Sequence, residues 1–181
     1  MHSYAMLSPA AGRLLVAHPE MEDPNFSRSV VYLLAHSADG TLGVVLNRPN
    51  QQATPSFDSP LMPWFDLAAA PQMIFDGGPV DINAILCLHP DPTETSGVRS
   101  VDVTWDDPAM YADHIRIFQG YSGWSPGQLE MELSVGGWFV IEGAGTDVIY
   151  PEPELLWRHV LSRQPNELQK LADFPDDLSA N

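Results

Sequence analysis

Apolar positions in this chain fall into short runs cut by Gly, Pro and Asp, and only near the end do they space out at helical intervals. Gly12-Arg13-Leu14-Leu15-Val16-Ala17 reads as a first strand ending at His18-Pro19. Residues 29–36 form a second strand. Its apolar residues are continuous, so both faces are expected to be covered. Ser37-Ala38-Asp39-Gly40 carries the Asp-Gly hairpin signal, and residues 41–46 return antiparallel. Residues 51–59, rich in Pro, Gln, Ser and Ala, read as an exposed loop, and 64–68 as a short helix or turn. Strands are predicted at 72–75, 83–89, 98–105, 115–120, 138–141 and 146–150. Asp106-Asp107-Pro108 caps a short helix through Tyr111.

The densest run is residues 120–133. Gly120 and Gly123 suit a tight turn after the preceding strand. Ser125 is expected to cap a helix, with its hydroxyl on the Gln128 N–H and the Gln128 side chain reaching back to the Ser125 N–H. Pro126 fits the first helical position, Leu129 and Leu133 the core face, and Gly136-Gly137 the stop. A later helix opens at Pro151-Glu152-Pro153-Glu154 and carries the stripe Leu156, Trp157, Val160 and Leu161, ending at Pro165. Asn166 is expected to cap a last helix bearing Leu168 and Leu171. Strands dominate the first two-thirds and regular βαβ alternation is missing, which predicts an α+β fold. The 181 residues suit one domain, 1–181, with its core at about 12–172 and a loosely held tail, 173–181.

Charge narrows the partners. With 8 basic and 24 acidic residues the net charge is −16. Such a field repels phosphate backbones and anionic membranes, so no direct nucleic-acid or membrane binding is expected. Only one basic residue, Lys170, is a lysine, and the arginines are scattered in sequence. No basic leader precedes an apolar core near the N-terminus and no apolar run reaches membrane-spanning length, so a cytoplasmic location is expected. The single cysteine, Cys87, lies in an apolar strand and reads as a small buried hydrophobe.

Candidate chemistry sits beside turns and strand ends. Ser122 resembles a nucleophile elbow, but Trp124 occupies the place of the second Gly. The 6 histidines show no metal-ligand spacing, so a tripod of His18, His36 and His89 depends wholly on the fold, and no metal or cofactor is expected. Gly77 and Gly78 can form an anion-binding nest or a wide backbone turn. Arg48 can pair with Asp23, Asp76 or Glu130, or with a ligand anion.

Several segments together resemble the AlgH/YqgE family. They are residues 12–19, Asp23-Pro24-Asn25-Phe26-Ser27-Arg28, His36 with Asp39-Gly40, Gly43-Val44-Val45-Leu46-Asn47-Arg48-Pro49, Gly77-Gly78-Pro79-Val80, the run from Gly120 to Glu132, and Trp138. The match spans nearly the whole chain. It implies a bifurcated, mostly antiparallel sheet folded into a pseudo-barrel with flanking helices, in a cytoplasmic bacterial protein. It implies no established enzyme activity and no cofactor. Members carry the label of transcriptional regulator, but the charge and the lack of a helix-turn-helix pattern oppose DNA contact. The motif positions that transfer as candidate ligand-binding residues are Asp23, Arg28, Asn47, Arg48, Gly77, Gly78, Gln128 and Glu130. The leading expectation is a non-catalytic binding or regulatory module that holds a protein partner or small ligand around Arg48, Gly77, Gly78 and Gln128. The alternatives are an enzyme, such as a hydrolase, using His18 or His36 with a carboxylate, and a DNA-binding regulator.

Overall fold

A computed structural model describes residues 6–111, 114–165 and 167–176. The Asn166 cap and the end of the tail lie outside the described residues. Nine strands form one mixed sheet that curls into a half-barrel, with a few short helices against it. Strands β1 (Arg13–Ala17), β2 (Val30–Ser37) and β3 (Gly40–Val45) pair antiparallel as a meander, and β9 (Trp138–Glu142) adds to the free edge of β1. Alternation divides these strands between two cores. Leu14, Val16, Val30 and Tyr32 face one side, whereas Leu15, Ala17, Val31 and Leu33 face the other. The unbroken apolar runs of β1 and β2 thus reflect a sheet covered on both faces.

The branch point is β8 (Arg116–Trp124). Its first half pairs in parallel with β5 (Ile74–Asp76), and its second half pairs antiparallel with β3. The opposite edge of β8 holds β6 (Val80–Pro90), which continues to β7 (Val98–Val101). The short β4 (Pro49–Asn50) caps the outside of β5. Gly77 sits in the fork. Its N–H donates to the Gln119 carbonyl at 2.8 Å, and its carbonyl accepts from Val45 N–H at 2.9 Å, so it stitches β8 to β3 where the two diverge.

Several sequence expectations change here. Residues 120–124 are no turn: Gly120 takes φ 69° as an irregularity within β8, and the strand runs on to Trp124. Helix α2 spans Gln128–Ser134, later than expected. Residues 125–128 form a β-turn with Pro126 and Gly127 in its centre, closed by Gln128 N–H to the Ser125 carbonyl at 3.0 Å. Half of the capping box survives, since Gln128 Oε1 accepts from Ser125 N–H at 3.0 Å. Strand 98–105 stops at Val101, because Asp102 accepts from the Thr104 N–H and hydroxyl and turns the chain. Residues 145–149 are a 3₁₀ turn rather than a strand. The buried Asp147 carboxylate takes the Ala144 N–H at 2.8 Å and both arms of Arg163 at 2.5 and 2.6 Å.

The remaining helices are α1 (Met62–Phe65), α3 (Leu156–Ser162) and α4 (Glu167–Leu171). The predicted stripe of α3 is buried, and the Trp157 indole N–H donates to the Ala17 carbonyl at 2.9 Å. Among the described residues, no helix is long and apolar enough to cross a membrane.

Candidate functional site

The β3–β4 connection and the β5–β6 connection lie side by side, because Asp76 N–H donates to the Arg48 carbonyl at 2.8 Å. Each connection ends beside a cleft. The first cleft, of about 380 Å³, is lined by Pro24, Asn25, Val45, Arg48, Asp76, Gly78, Pro79, Ile82 and Gln119. Arg48 supplies its cation. Its guanidinium donates to the Ser27 carbonyl and forms no ion pair with a carboxylate among the described residues. The expected salt bridge to Asp23, Asp76 or Glu130 is therefore not made. Burial lowers the pKa of Arg48 from its usual value, through loss of solvation of the cation. Asp76 faces the same cleft, but its carboxylate is held by the side-chain amides of Gln119 at 2.8 Å and Asn50 at 3.0 Å.

Asp23 builds the near wall without lining it. Its Oδ1 accepts from Asn25 N–H at 2.9 Å and its carbonyl from Ser27 N–H at 2.7 Å, folding the turn that presents Pro24 and Asn25. Gly77 and Gly78 are explained by close approach rather than by an anion nest. The Gly77 N–H is taken up by Gln119, and a Cβ on Gly78 would lie 2.2 Å from the Tyr121 carbonyl oxygen. Asn47 is a clamp: its Oδ1 accepts from Val30 N–H at 3.0 Å and its Nδ2 donates to the Arg28 carbonyl at 2.9 Å. That bond holds Arg28 at φ 57°, in the left-handed region. A second cleft, of about 350 Å³, shares Arg48 with the first and is lined by Arg28, Asn47, Pro49, Glu154, Trp157, Arg158 and Asp176.

Gln128 and Glu130 line neither cleft. They brace α2. Gln128 Nε2 donates to Glu132 Oε1 at 3.0 Å, while Glu132 Oε2 accepts the indole N–H groups of Trp124 and Trp138 at 2.9 and 2.8 Å. Glu130 Oε1 lies 3.3 Å from His36 Nε2, and His36 Nδ1 lies 2.7 Å from Thr41 Oγ1. This Thr–His–Glu chain superficially suits nucleophilic catalysis. However, Thr41 is only 3% exposed, and none of the three residues lines either cleft. Ser122 is fully buried and donates to the Gly77 carbonyl at 3.1 Å, so it presents no nucleophile.

The three histidines of the expected tripod go to different places. His18 accepts from Glu20 N–H at 3.2 Å, His36 joins Thr41 and Glu130, and His89 packs on Tyr111. Among the described residues no cluster of His, Cys, Asp or Glu could hold a metal ion. Cys87 is buried in β6, and burial pushes its thiol up to about 12. His18 instead lines a larger open groove, of about 830 Å³, with Met21, Phe139, Leu168 and Leu171 on its walls and Glu20, Glu22 and Glu167 among its lining.

Sequence reasoning missed Gln119, Asn25, Trp157 and Arg158 as cleft residues. Gln119 was recoverable in principle, since a parallel β5–β8 register places it opposite Asp76. Arg158 carried no such signal, because only packing brings α3 against the loop of Arg28.

A family model described as AlgH-like matches residues 14–169. The chain is 43% identical to a UPF0301 protein of Streptomyces avermitilis and 44% identical to one of Streptomyces coelicolor, in each case over the full length of both chains. A crystal structure of a protein from Corynebacterium diphtheriae is similar, with a TM-score of 0.83 at 28% identity, covering 94% of this chain and 95% of that one. The solution structure of the AlgH protein from Pseudomonas aeruginosa gives a TM-score of 0.65 at 26% identity, covering 95% of this chain and 98% of that one.

Proposed function

The chain belongs to the AlgH-like family, and from that premise we propose that it is a non-catalytic binding module of the bacterial cytoplasm whose site is the Arg48 cleft. One observation carries this reading. A half-buried guanidinium, without a carboxylate partner among the described residues, opens into a cleft whose one lining carboxylate, Asp76, is already held by the Gln119 and Asn50 amides. A desolvated arginine gains most from a bidentate acceptor such as a carboxylate or phosphate. The Pro24, Pro79 and Ile82 walls would take an apolar body beside that anionic group. The occupant is a small ligand or the anionic side chain of a protein partner.

Direct DNA binding is disfavoured by the −16 charge, which would oppose every phosphate contact. The hydrolase alternative has its histidine–carboxylate pair at His36 and Glu130, away from either cleft.

Native mass spectrometry of protein purified gently from a bacterial lysate tests the reading. Wild type should carry a bound species, or retain a partner, that Arg48→Ala loses. Identical spectra and identical partner sets for the two proteins would remove the Arg48 cleft as the site.

A further inference from the structure

Three of the chain's 8 basic residues converge on one cleft, in a protein of net charge −16. Arg28, Arg48 and Arg158 come from three separate segments, so no sequence cluster announces them. The Arg28 guanidinium lies 4.2 Å over the Trp157 ring and donates to the carbonyls of Phe174 and Pro175. Arg158 donates to the Ala172 carbonyl and, at 2.7 Å, to Asp176 Oδ1. Asp176 also lies 3.9 Å from Arg28. The segment after α4 thus fills the arginine cluster with acceptor oxygens only: backbone carbonyls and one carboxylate.

The cluster is costly to keep. Burial lowers the pKa of Arg28, and the neighbouring Arg158 cation lowers it further, while Asp176 opposes both. Arg28 is also held in a backbone region that non-glycine residues avoid. The Asp176 ion pairs do not offset this cost, because the Asp176 side chain is 84% exposed and such surface ion pairs gain little.

We propose that this second cleft is an oxyanion site for a phosphate monoester, and that the Asp176 carboxylate is its built-in competitor, displaced when the ligand binds. The inference rests on the reading of the protein as a binding module and gives it a second site, with a ligand class and a regulatory segment of its own. Charge supports the choice. With Asp176 withdrawn, three guanidiniums face the one remaining lining carboxylate, Glu154, leaving a local surplus that a dianion neutralises. Planar guanidinium forks suit phosphate oxygens, and the Trp157 ring gives the Arg28 guanidinium a rigid support.

Inorganic phosphate, titrated calorimetrically into the full chain at low ionic strength, tests the proposal on wild type, Asp176→Asn and the double variant Asp176→Asn/Arg158→Gln. Asp176 is at the surface, so its substitution leaves the fold intact. A surface ion pair favours the seated carboxylate only a few-fold, and a site that is open for a fraction of the time has its apparent affinity reduced by that fraction. Asp176→Asn should therefore bind phosphate about fivefold more tightly, and the double variant should lose that gain. Equal affinity of wild type and Asp176→Asn, or a gain that survives Arg158→Gln, would overturn the proposal. Succinate forms the second arm. Succinate binding to Asp176→Asn as tightly as phosphate would overturn the phosphate assignment in favour of a carboxylate site. Arg158 and Asp176 line only the second cleft, so failure here removes the phosphate site alone, and loss of a bound species in Arg48→Ala that Arg158→Gln retains would still support the first cleft.

Discussion

At the scale of single residues, the most consequential side chains are those whose polar atoms are fully satisfied inside the fold. Arg116 is completely buried, yet among the described residues its guanidinium meets no carboxylate. It donates to the carbonyls of Ala69, Ala70, Pro71, Val148 and Tyr150 at 2.8–3.4 Å and stacks 4.3 Å from the Phe75 ring. Burial pulls its pKa down to about 10, which leaves it charged at neutral pH. It fastens two irregular segments to β8 and lines neither cleft. Glu132 plays the same part for α2. Truncating it leaves the indole N–H groups of Trp124 and Trp138, both buried, without their acceptor. Glu132→Ala should therefore lose about 2–4 kcal/mol of stability, from two unsatisfied donors at about 1–3 kcal/mol each with partial relaxation. Urea unfolding followed by tryptophan fluorescence measures it; a loss below about 1 kcal/mol would mean that water replaces the carboxylate.

Among elements, glycines separate local from tertiary requirements. Gly127 takes φ 77° in the turn before α2, and nothing lies within 4 Å of where its Cβ would be. Gly127→Ala should cost only the left-handed backbone penalty, about 1–2 kcal/mol. Gly78 is different, because its Cβ would strike the Tyr121 carbonyl at 2.2 Å and the Ser122 hydroxyl at 2.4 Å. Gly78→Ala must force the β5–β6 connection off β8. It should cost about 3 kcal/mol or more, by analogy with the larger strain and overpacking losses. Paired denaturation curves decide it, and equal losses in the two variants would refute the close approach. The same contrast explains the misplaced start of α2. Ser-Pro-Gly-Gln contains both a capping box and a β-turn, and the glycine at the third position favours the turn.

For the whole molecule, the net charge is −16, and four of the few arginines are withdrawn from the open surface: Arg116 is buried, and Arg28, Arg48 and Arg158 line the second cleft. Surface self-repulsion should therefore limit stability at low salt. Raising sodium chloride from about 10 mM to about 500 mM shortens the Debye length from about 30 Å to under 10 Å, so the melting temperature should rise by several degrees. A flat or falling melting temperature in calorimetry would show that the ion pairs, such as Asp147 with Arg163, matter more than the net field. The half-barrel itself depends on β8, which binds β5 and β3 on one edge and β6 on the other. Both clefts open where the connections from this fork meet neighbouring loops.

Local chemistry in the sequence was enough to determine the β2–β3 hairpin, the buried meander, the apolar stripe of α3, the family, and the Asp107 cap, whose carboxylate accepts the Ala109 N–H at 3.0 Å on the 3₁₀ turn Pro108–Met110. Each depends on periodicity, turn residues or a motif run that is read along the chain. The family resemblance supplied Asp23, Arg28, Asn47, Arg48, Gly77, Gly78, Gln128 and Glu130 as a group; of these, Arg48 and Gly78 line the first cleft, and Arg28, Asn47 and Arg48 the second. What the sequence could not supply was partnership. That Arg48 forms no ion pair among the described residues, that Gln128 and Glu130 serve α2, that Gly77 and Gly78 answer to β8, and that Arg158 and Asp176 meet Arg28 all depend on contacts between segments distant in sequence. Side-chain type and spacing carry no information about such contacts until strand register and helix docking place the segments, so only the tertiary structure decided them.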